Sequence, residues 1–430
     1  MLSLAAKPLP MSEQKTSTFT SYQKLVILLL ALTQFSVILD FMVMSPLGDI
    51  LMKSLSLSPK EFAVVVSAYA LSAGVSGLLT AGFADKFDRK KLLLFFYAGF
   101  ILGTVFCGLS HTYVELVAAR VITGIFGGVI SSIGMAIITD LFSLQQRGRV
   151  MGFVQMAFGA SQVLGVPIGL YLANLWGWEA PFWLVVGIAA VTALFIAIKL
   201  RPVTEHLFLK KEKTAIAHLW HTIKQKKHRI GFTSTALLSI GGFMMMPFGS
   251  AFAVNNLGIT ENQLPMLFMV SGLSSLIILP MIGKLSDKIS KLKIFTVASL
   301  WMMAMCVVYT NLSITPFLAV ILVNILMMMG VMSRMIPSQA LTSAIPEPQD
   351  RGAFMSINTS LQQIAGGVAS IAAGLIVTSK GKGQPLEHYD MVAYVIVVIS
   401  VISIWLMGRV NKIVEAKTTK MPTSAPVVEH

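Results

Sequence analysis

Twelve predominantly apolar runs follow one another along the chain. They fall at about 24–48, 61–83, 92–110, 114–141, 149–174, 180–199, 230–254, 263–282, 293–312, 316–340, 352–378 and 389–408. Each is long enough to cross about 30 Å of hydrocarbon as a helix rising about 1.5 Å per residue. Several are separated by only a few residues, so neighbouring spans are antiparallel hairpins. A membrane β-barrel needs alternating segments of about 10 residues, and the runs do not alternate. The pattern predicts an all-α membrane protein with twelve transmembrane helices in two six-helix bundles. It divides the chain into an N-terminal tail (1–22), a first bundle (23–199), a linker (200–229), a second bundle (230–409) and a C-terminal tail (410–430). The first twenty residues lack the apolar stretch of a cleavable leader, and Met11 is an alternative start.

Composition sharpens this picture. The 430 residues are 55% hydrophobic and 12% charged, against about 45–50% and about 25% in soluble domains. A soluble enzyme, a disordered chain and a disulfide scaffold are excluded, the last because only two cysteines, Cys107 and Cys306, are present; both read as small fillers of helices. The net charge of +14 would suit nucleic acid, but its placement says otherwise. With both termini cytoplasmic, the outer loops hold only Lys53, Lys60, Lys380 and Lys382, and Arg120 and Arg334 lie within runs. The remaining basic residues fall inside, which is the insertion bias of membrane proteins. No nucleic-acid partner is expected; the lipid bilayer is the partner. The linker, with His206, His218, His221 and His228, reads as a solvated basic segment and not as a metal site.

The two halves repeat. Gly82, Asp85, Arg89, Lys90 and Lys91 follow the second run; Gly283, Asp287, Lys288 and Lys291 follow the eighth. Gln146-Arg147-Gly148 before the fifth run recurs as Asp350-Arg351-Gly352 before the eleventh. The offsets, 201 and 204 residues, nearly agree, as expected of two homologous halves rocking about a midplane site.

Through these residues the chain resembles the major facilitator superfamily along essentially its whole length, and within it the twelve-helix drug:proton antiporters. Gly82, Asp85, Arg89 and the two lysines are similar to the superfamily's loop signature, except that Asp88 replaces the usual Gly. The resemblance implies conformational gating by Gly82, Asp85, Arg89, Asp140 and Asp287, with Arg89 bridging to Asp140. Such contacts, made in only one of two rocking states, bias the equilibrium. In the fifth run, Gly159, Gly165, Pro167 and Gly169 resemble the antiporter motif of that helix, with the Pro displaced by one place. With Gly177, Trp178 and Phe182 following, the run looks like the sugar-efflux and amphenicol-efflux branch. Small residues admit close helix approach, and the implied role is a helix-interface hinge between spans five and eight.

An ionisable residue inside a membrane helix is costly and marks function. Asp40 in span one and Arg120 in span four lie at matching depth and can pair, each offsetting the other's desolvation. Arg120 and Gly124 resemble a further family signature. Burial and Arg120 act in opposite senses on the Asp40 charge, so a cavity opening alternately to either side would load and release a proton there. Asp49, near the outer surface, and Arg334, in span ten, are weaker candidates. Phe243, Met246 and the Met-rich runs suit a soft apolar cavity. Gln155, Gln162, Asn358 and Gln362 offer hydrogen bonds to a polar cargo. No metal cluster, nucleophile motif or phosphate loop is present, so neither enzyme activity nor a cofactor is expected. The expected function is proton-coupled efflux of a small drug-like or sugar-like molecule by a monomer in the inner (plasma) membrane. An uptake symporter, a facilitator and a non-transporting sensor are the alternatives.

Overall fold

A peptide group in hydrocarbon has no water to bond, so each apolar run must satisfy its backbone internally, as a helix. The computed structural model describes residues 19–80, 86–204, 207, 215–347 and 350–420. Among them, twelve helices are long and apolar enough to cross a membrane. Spans 1 to 6 are Ser21–Val43, Pro59–Leu79, Arg89–Leu109, Tyr113–Leu141, Arg149–Trp176 and Ala180–Lys199. Spans 7 to 12 are Lys226–Asn255, Glu261–Ser286, Lys291–Thr310, Phe317–Ser343, Arg351–Ile376 and Tyr389–Lys417. Polar caps fix several starts: Thr20 with Gln23 before span 1, and Thr112 with Glu115 before span 4, form reciprocal capping boxes.

The packing carries the repeat seen in the sequence. Span 2 packs on 4, 3 on 4, 3 on 6, 1 on 5 and 1 on 6. The second half repeats these contacts as 8 on 10, 9 on 10, 9 on 12, 7 on 11 and 7 on 12. The halves meet where span 2 packs on 11 and span 5 on 8, pairs that exchange under the pseudo-two-fold. Both ends of the described chain lie at one face: Phe19 meets Phe142 edge-on, and Lys417 Nζ donates to the Pro346 carbonyl at 2.7 Å.

Glycines set the closest approaches. A Cβ on Gly128 would lie 2.5 Å from the Ala73 carbonyl oxygen, and one on Gly330 would lie 2.9 Å from Met302 Cα. Neither neighbour can move aside, because both are backbone. Gly128→Val should therefore prise span 4 from span 2 and cost about 1–3 kcal/mol. A lower thermal midpoint of the purified protein would show it; an unchanged midpoint would mean the helices slide apart freely.

Four boundaries differ from the sequence pattern. The runs at 24–48 and 230–254 are not single helices. The first stops at Val43 and resumes as Gly48–Ser54; the second stops at Phe243, makes a tight turn at Met246–Phe248 and resumes as Gly249–Asn255. Pro46 and Pro247 stand at the two breaks, again 201 residues apart; each lacks an N–H and crowds the preceding turn. At the other face, the helix of span 12 continues past 409 into the segment read as a tail. The linker holds a short helix, Ala215–Lys224, and span 7 begins at Lys226. His228 is accordingly not solvated, as the linker reading had it. It is buried, donating Nδ1–H to the Thr222 carbonyl at 3.0 Å, with its ring 5.1 Å from Phe354.

Candidate functional site: a buried ion pair between spans 1 and 4

Asp40 and Arg120 meet inside the first bundle. Arg120 Nη1 donates to Asp40 Oδ2 at 2.7 Å, and both residues are 0% exposed. Thr104 of span 3 sits 3.5 Å from Asp40 Oδ1, and the Arg120 guanidinium lies over the Tyr69 ring at 4.6 Å. Arg120 Nε is buried without a hydrogen-bond partner, so the guanidinium is only partly satisfied. Spans 1, 2, 3 and 4 thus enclose one carboxylate and one guanidinium in a setting where removing either partner is expensive.

An aromatic track leads from this pair to the junction of the halves. Tyr69 packs on Phe41, next to Asp40 in sequence, with ring centroids 5.5 Å apart. Phe41 reaches Phe243 of span 7 at 6.1 Å, and Phe243 lies against Gly366 of span 11. Tyr69, Phe41 and Thr104 were not legible in the sequence, because neutral residues in apolar helices carry no periodic signal. Of the expected cavity residues, the structure brings Phe243 to the site. Gln155 and Gln362 are exposed, while Gln162 and Asn358 each bury an amide oxygen without a partner. Met246 acts through its backbone carbonyl, which accepts the Ser45 hydroxyl.

That last contact belongs to a polar latch over the face away from the termini, formed by the broken ends of spans 1 and 7. Ser250 Oγ donates to the Ser45 carbonyl at 2.7 Å, and Asn255 Nδ2 to Asp49 Oδ1 at 2.6 Å. Lys53 Nζ lies 2.7 Å from Asp49 and 2.9 Å from Glu261. Asn256 clasps both backbone groups of Leu386, in the small hairpin of Thr378–Ser379 and Leu386–Glu387. Burial lowers the Lys53 pKa, but hydrogen bonds and charge from Asp49 and Glu261 outweigh it, and the net shift is upward. A raised amine pKa contributes stability below its ordinary value and loses it as pH rises through the shifted one. The latch should therefore hold at neutral pH and loosen as pH rises into the strongly alkaline range. Proteolysis of the 255–261 loop across a pH series would report this, and loosening near neutrality would contradict it.

At the terminal face, Arg89 Nε pairs with Asp140 at 3.3 Å, the contact implied by the family resemblance. Gly82 and Asp85 lie outside the described residues. Asp287 falls in the last turn of the span 8 helix, Leu264–Lys288. Asp88, the departure from the signature, caps span 3 by accepting the Lys90 N–H at 2.9 Å, and also accepts the Val203 N–H at 3.0 Å. Asp88→Ala should cost about 0.5–2 kcal/mol through the lost cap, measurable as a lower thermal midpoint; no change would assign the cap to the backbone alone.

The glycines of span 5 divide between two partners. Gly159 faces Leu276 of span 8, and the Gln162 backbone meets Gly272 of that span. Gly165 and Gly169 face Leu39 and Val43 of span 1 instead. Ser161–Gly165 forms one wide turn before the helix that carries Pro167, the kind of irregularity that often marks working helices. The segment touches both the other half and the helix turn that holds Asp40.

A family model described as Major Facilitator Superfamily matches residues 30–246 and 231–429, nearly the whole chain. The chain belongs to the Major Facilitator Superfamily. Among its relatives, multidrug resistance protein fnx1 of Schizosaccharomyces pombe is 32% identical over 137 residues, 32% of this chain and 26% of that protein. The match thus spans only about a quarter of that relative. Multidrug resistance protein 2 of Bacillus subtilis is 23% identical over 309 residues, 70% of this chain and 76% of that protein. Among solved structures, a bacterial homologue of the human lysosomal transporter Spinster superposes with a TM-score of 0.74 at 16% identity, covering 93% of this chain and 99% of that one. Its family and its twelve apolar helices make the chain a multi-pass membrane protein.

Proposed function

We propose that this facilitator exports a small amphipathic or polar compound in exchange for protons, working by alternating access in the plasma membrane with both termini in the cytoplasm. The observation that carries the reading is the sealed Asp40–Arg120 pair, joined to the half-interface by Tyr69, Phe41 and Phe243. With the latch closed, the described cross-half polar contacts gather at the outer face, which fits a state opening toward the cytoplasm.

In the cycle, the latch parts and water from outside reaches Asp40. A proton adds to the carboxylate, the ion pair with Arg120 is lost, and spans 1 and 4 are freed to move relative to each other. When the outer face closes again, Arg120 returns to Asp40 and the proton leaves to the cytoplasmic side. Cargo favours the deprotonated cavity, so each proton entering displaces cargo outward. The pairing of Arg89 with Asp140 and the wide turn of span 5 bias and accommodate the rocking. The names of the multidrug resistance relatives support export of drug-like compounds.

The test is a substrate panel with the purified protein in liposomes, with and without an imposed pH gradient. Exchange of cargo against protons supports the reading. Cargo moving in the same direction as protons would replace it with symport, and indifference to the gradient with facilitation.

A further inference from the structure

The second half holds a buried guanidinium of its own. Arg334 of span 10 is 4% exposed. Its Nη1 donates to Met302 Sδ at 2.9 Å and to Ser400 Oγ at 3.4 Å, and its guanidinium stands 5.6 Å from the Phe295 ring centre. Its Nη2 is buried with no hydrogen-bond partner, and no carboxylate pairs with it among the described residues. A cation at this depth without a counter-charge is costly.

The repeat marks a position without a side chain close by. The 201-residue offset that relates Gly82 to Gly283 and Pro46 to Pro247 carries Asp40 onto Gly241. A Cβ at Gly241 would meet only Ile399 at 3.7 Å and Ser400 Oγ at 3.9 Å, ordinary contact distances. The same Ser400 hydroxyl touches Arg334. Gly241 therefore leaves room for one added carbon beside the Ser400 hydroxyl that Arg334 contacts, although the same offset carries Arg120 onto Ile321 and not onto Arg334. Apart from the Met302 sulfur, which accepts from Nη1, the hydroxyls around it can donate. Ser400 accepts from Arg334 and keeps its own proton to give. Ser299, on the face of span 9 that carries Phe295 and Met302, has a buried Oγ with no partner. One free guanidinium nitrogen, Nη2, and two hydroxyls with no anionic acceptor make an anion site, and enclosure by spans 7, 9, 10 and 12 limits it to a small ion.

We propose that Arg334, with Ser400 and Ser299, binds a small monovalent anion, a halide or a carboxylate head, where the first half supplies its own carboxylate. The site is independent of proton coupling and of cargo, since each half must neutralise its buried guanidinium whatever the protein transports.

The experiment is thermal unfolding of the purified full chain in detergent at constant sodium concentration. Bulky gluconate is replaced stepwise by chloride, bromide or acetate. The midpoint should rise saturably, by about 3–5 °C for a bound anion, and the more effective of halide and acetate identifies the source. Arg334→Met should abolish the response. Ser400→Asp, which builds the carboxylate in, should raise the midpoint in gluconate and remove the anion effect. Equal midpoints in all the salts would overturn the proposal, as would an undiminished response in Ser400→Asp even if Arg334→Met fails to fold. An anomalous bromide peak beside Arg334 in crystals would support it directly.

Discussion

Asp40→Asn should reduce proton-driven transport to the level of protein-free vesicles while substrate exchange persists. The amide keeps the shape of the carboxyl but cannot take up and release a proton. It also leaves Arg120 without a counter-charge in a fully buried setting, and breaking such a pair costs about 3–5 kcal/mol. The stability loss must be separated from the loss of coupling, and the double variant Asp40→Leu with Arg120→Met does so. Replacing both members of a buried pair with apolar groups of similar volume is often neutral for stability, so the double variant should recover the thermal midpoint. It should not recover gradient-driven transport. Recovery of both would make the pair a static brace between spans 1 and 4 and would remove the proton from the mechanism.

The second large effect concerns the latch. Asp49→Cys with Asn255→Cys places thiols where Asn255 now donates to Asp49 at 2.6 Å, on the broken ends of spans 1 and 7. Linking them through disulfides with a short bis-methanethiosulfonate reagent, each thiolate displacing a sulfinate, should hold that face shut. Transport in liposomes should fall to background and return when the link is reduced, while either single variant should transport with or without reagent. The reason is geometric: the two short helices belong to different halves, and a facilitator that rocks must separate them once in every cycle. Full transport by the cross-linked protein would mean the latch is a fixed lid and that access alternates elsewhere.

Much of the architecture is legible in the sequence because the bilayer leaves the chain few choices. A run of about twenty apolar residues must form a helix, and the observed spans fall close to the runs. The repeat was legible because charged loop residues such as Arg89 and Lys291 stand out against an apolar background. The pairing of Asp40 with Arg120 was legible for the same reason, since ionisable residues within spans are rare and must be compensated. The breaks at Pro46 and Pro247 were not read, although two prolines in matching positions were visible. Hydropathy does not register a missing N–H. The role of Asp88 was hidden as well, because a departure from a signature reads as a loss until the cap it makes is seen.

The sequence by itself determined the twelve helices, their division into two related halves and the scarcity of charge within them. All of these follow from the local cost of placing backbone or charge in hydrocarbon. Only the tertiary structure decided which neutral residues surround the charges: Tyr69 and Thr104 at Asp40 and Arg120, and Ser400 and Gly241 at Arg334. It also decided that the split ends of spans 1 and 7 close on one another. Apolar helices present nearly uniform faces, so their partners are chosen by shape, at glycines such as Gly128 and Gly330 where backbones touch. That choice depends on residues distant in the chain and leaves no periodic trace along it.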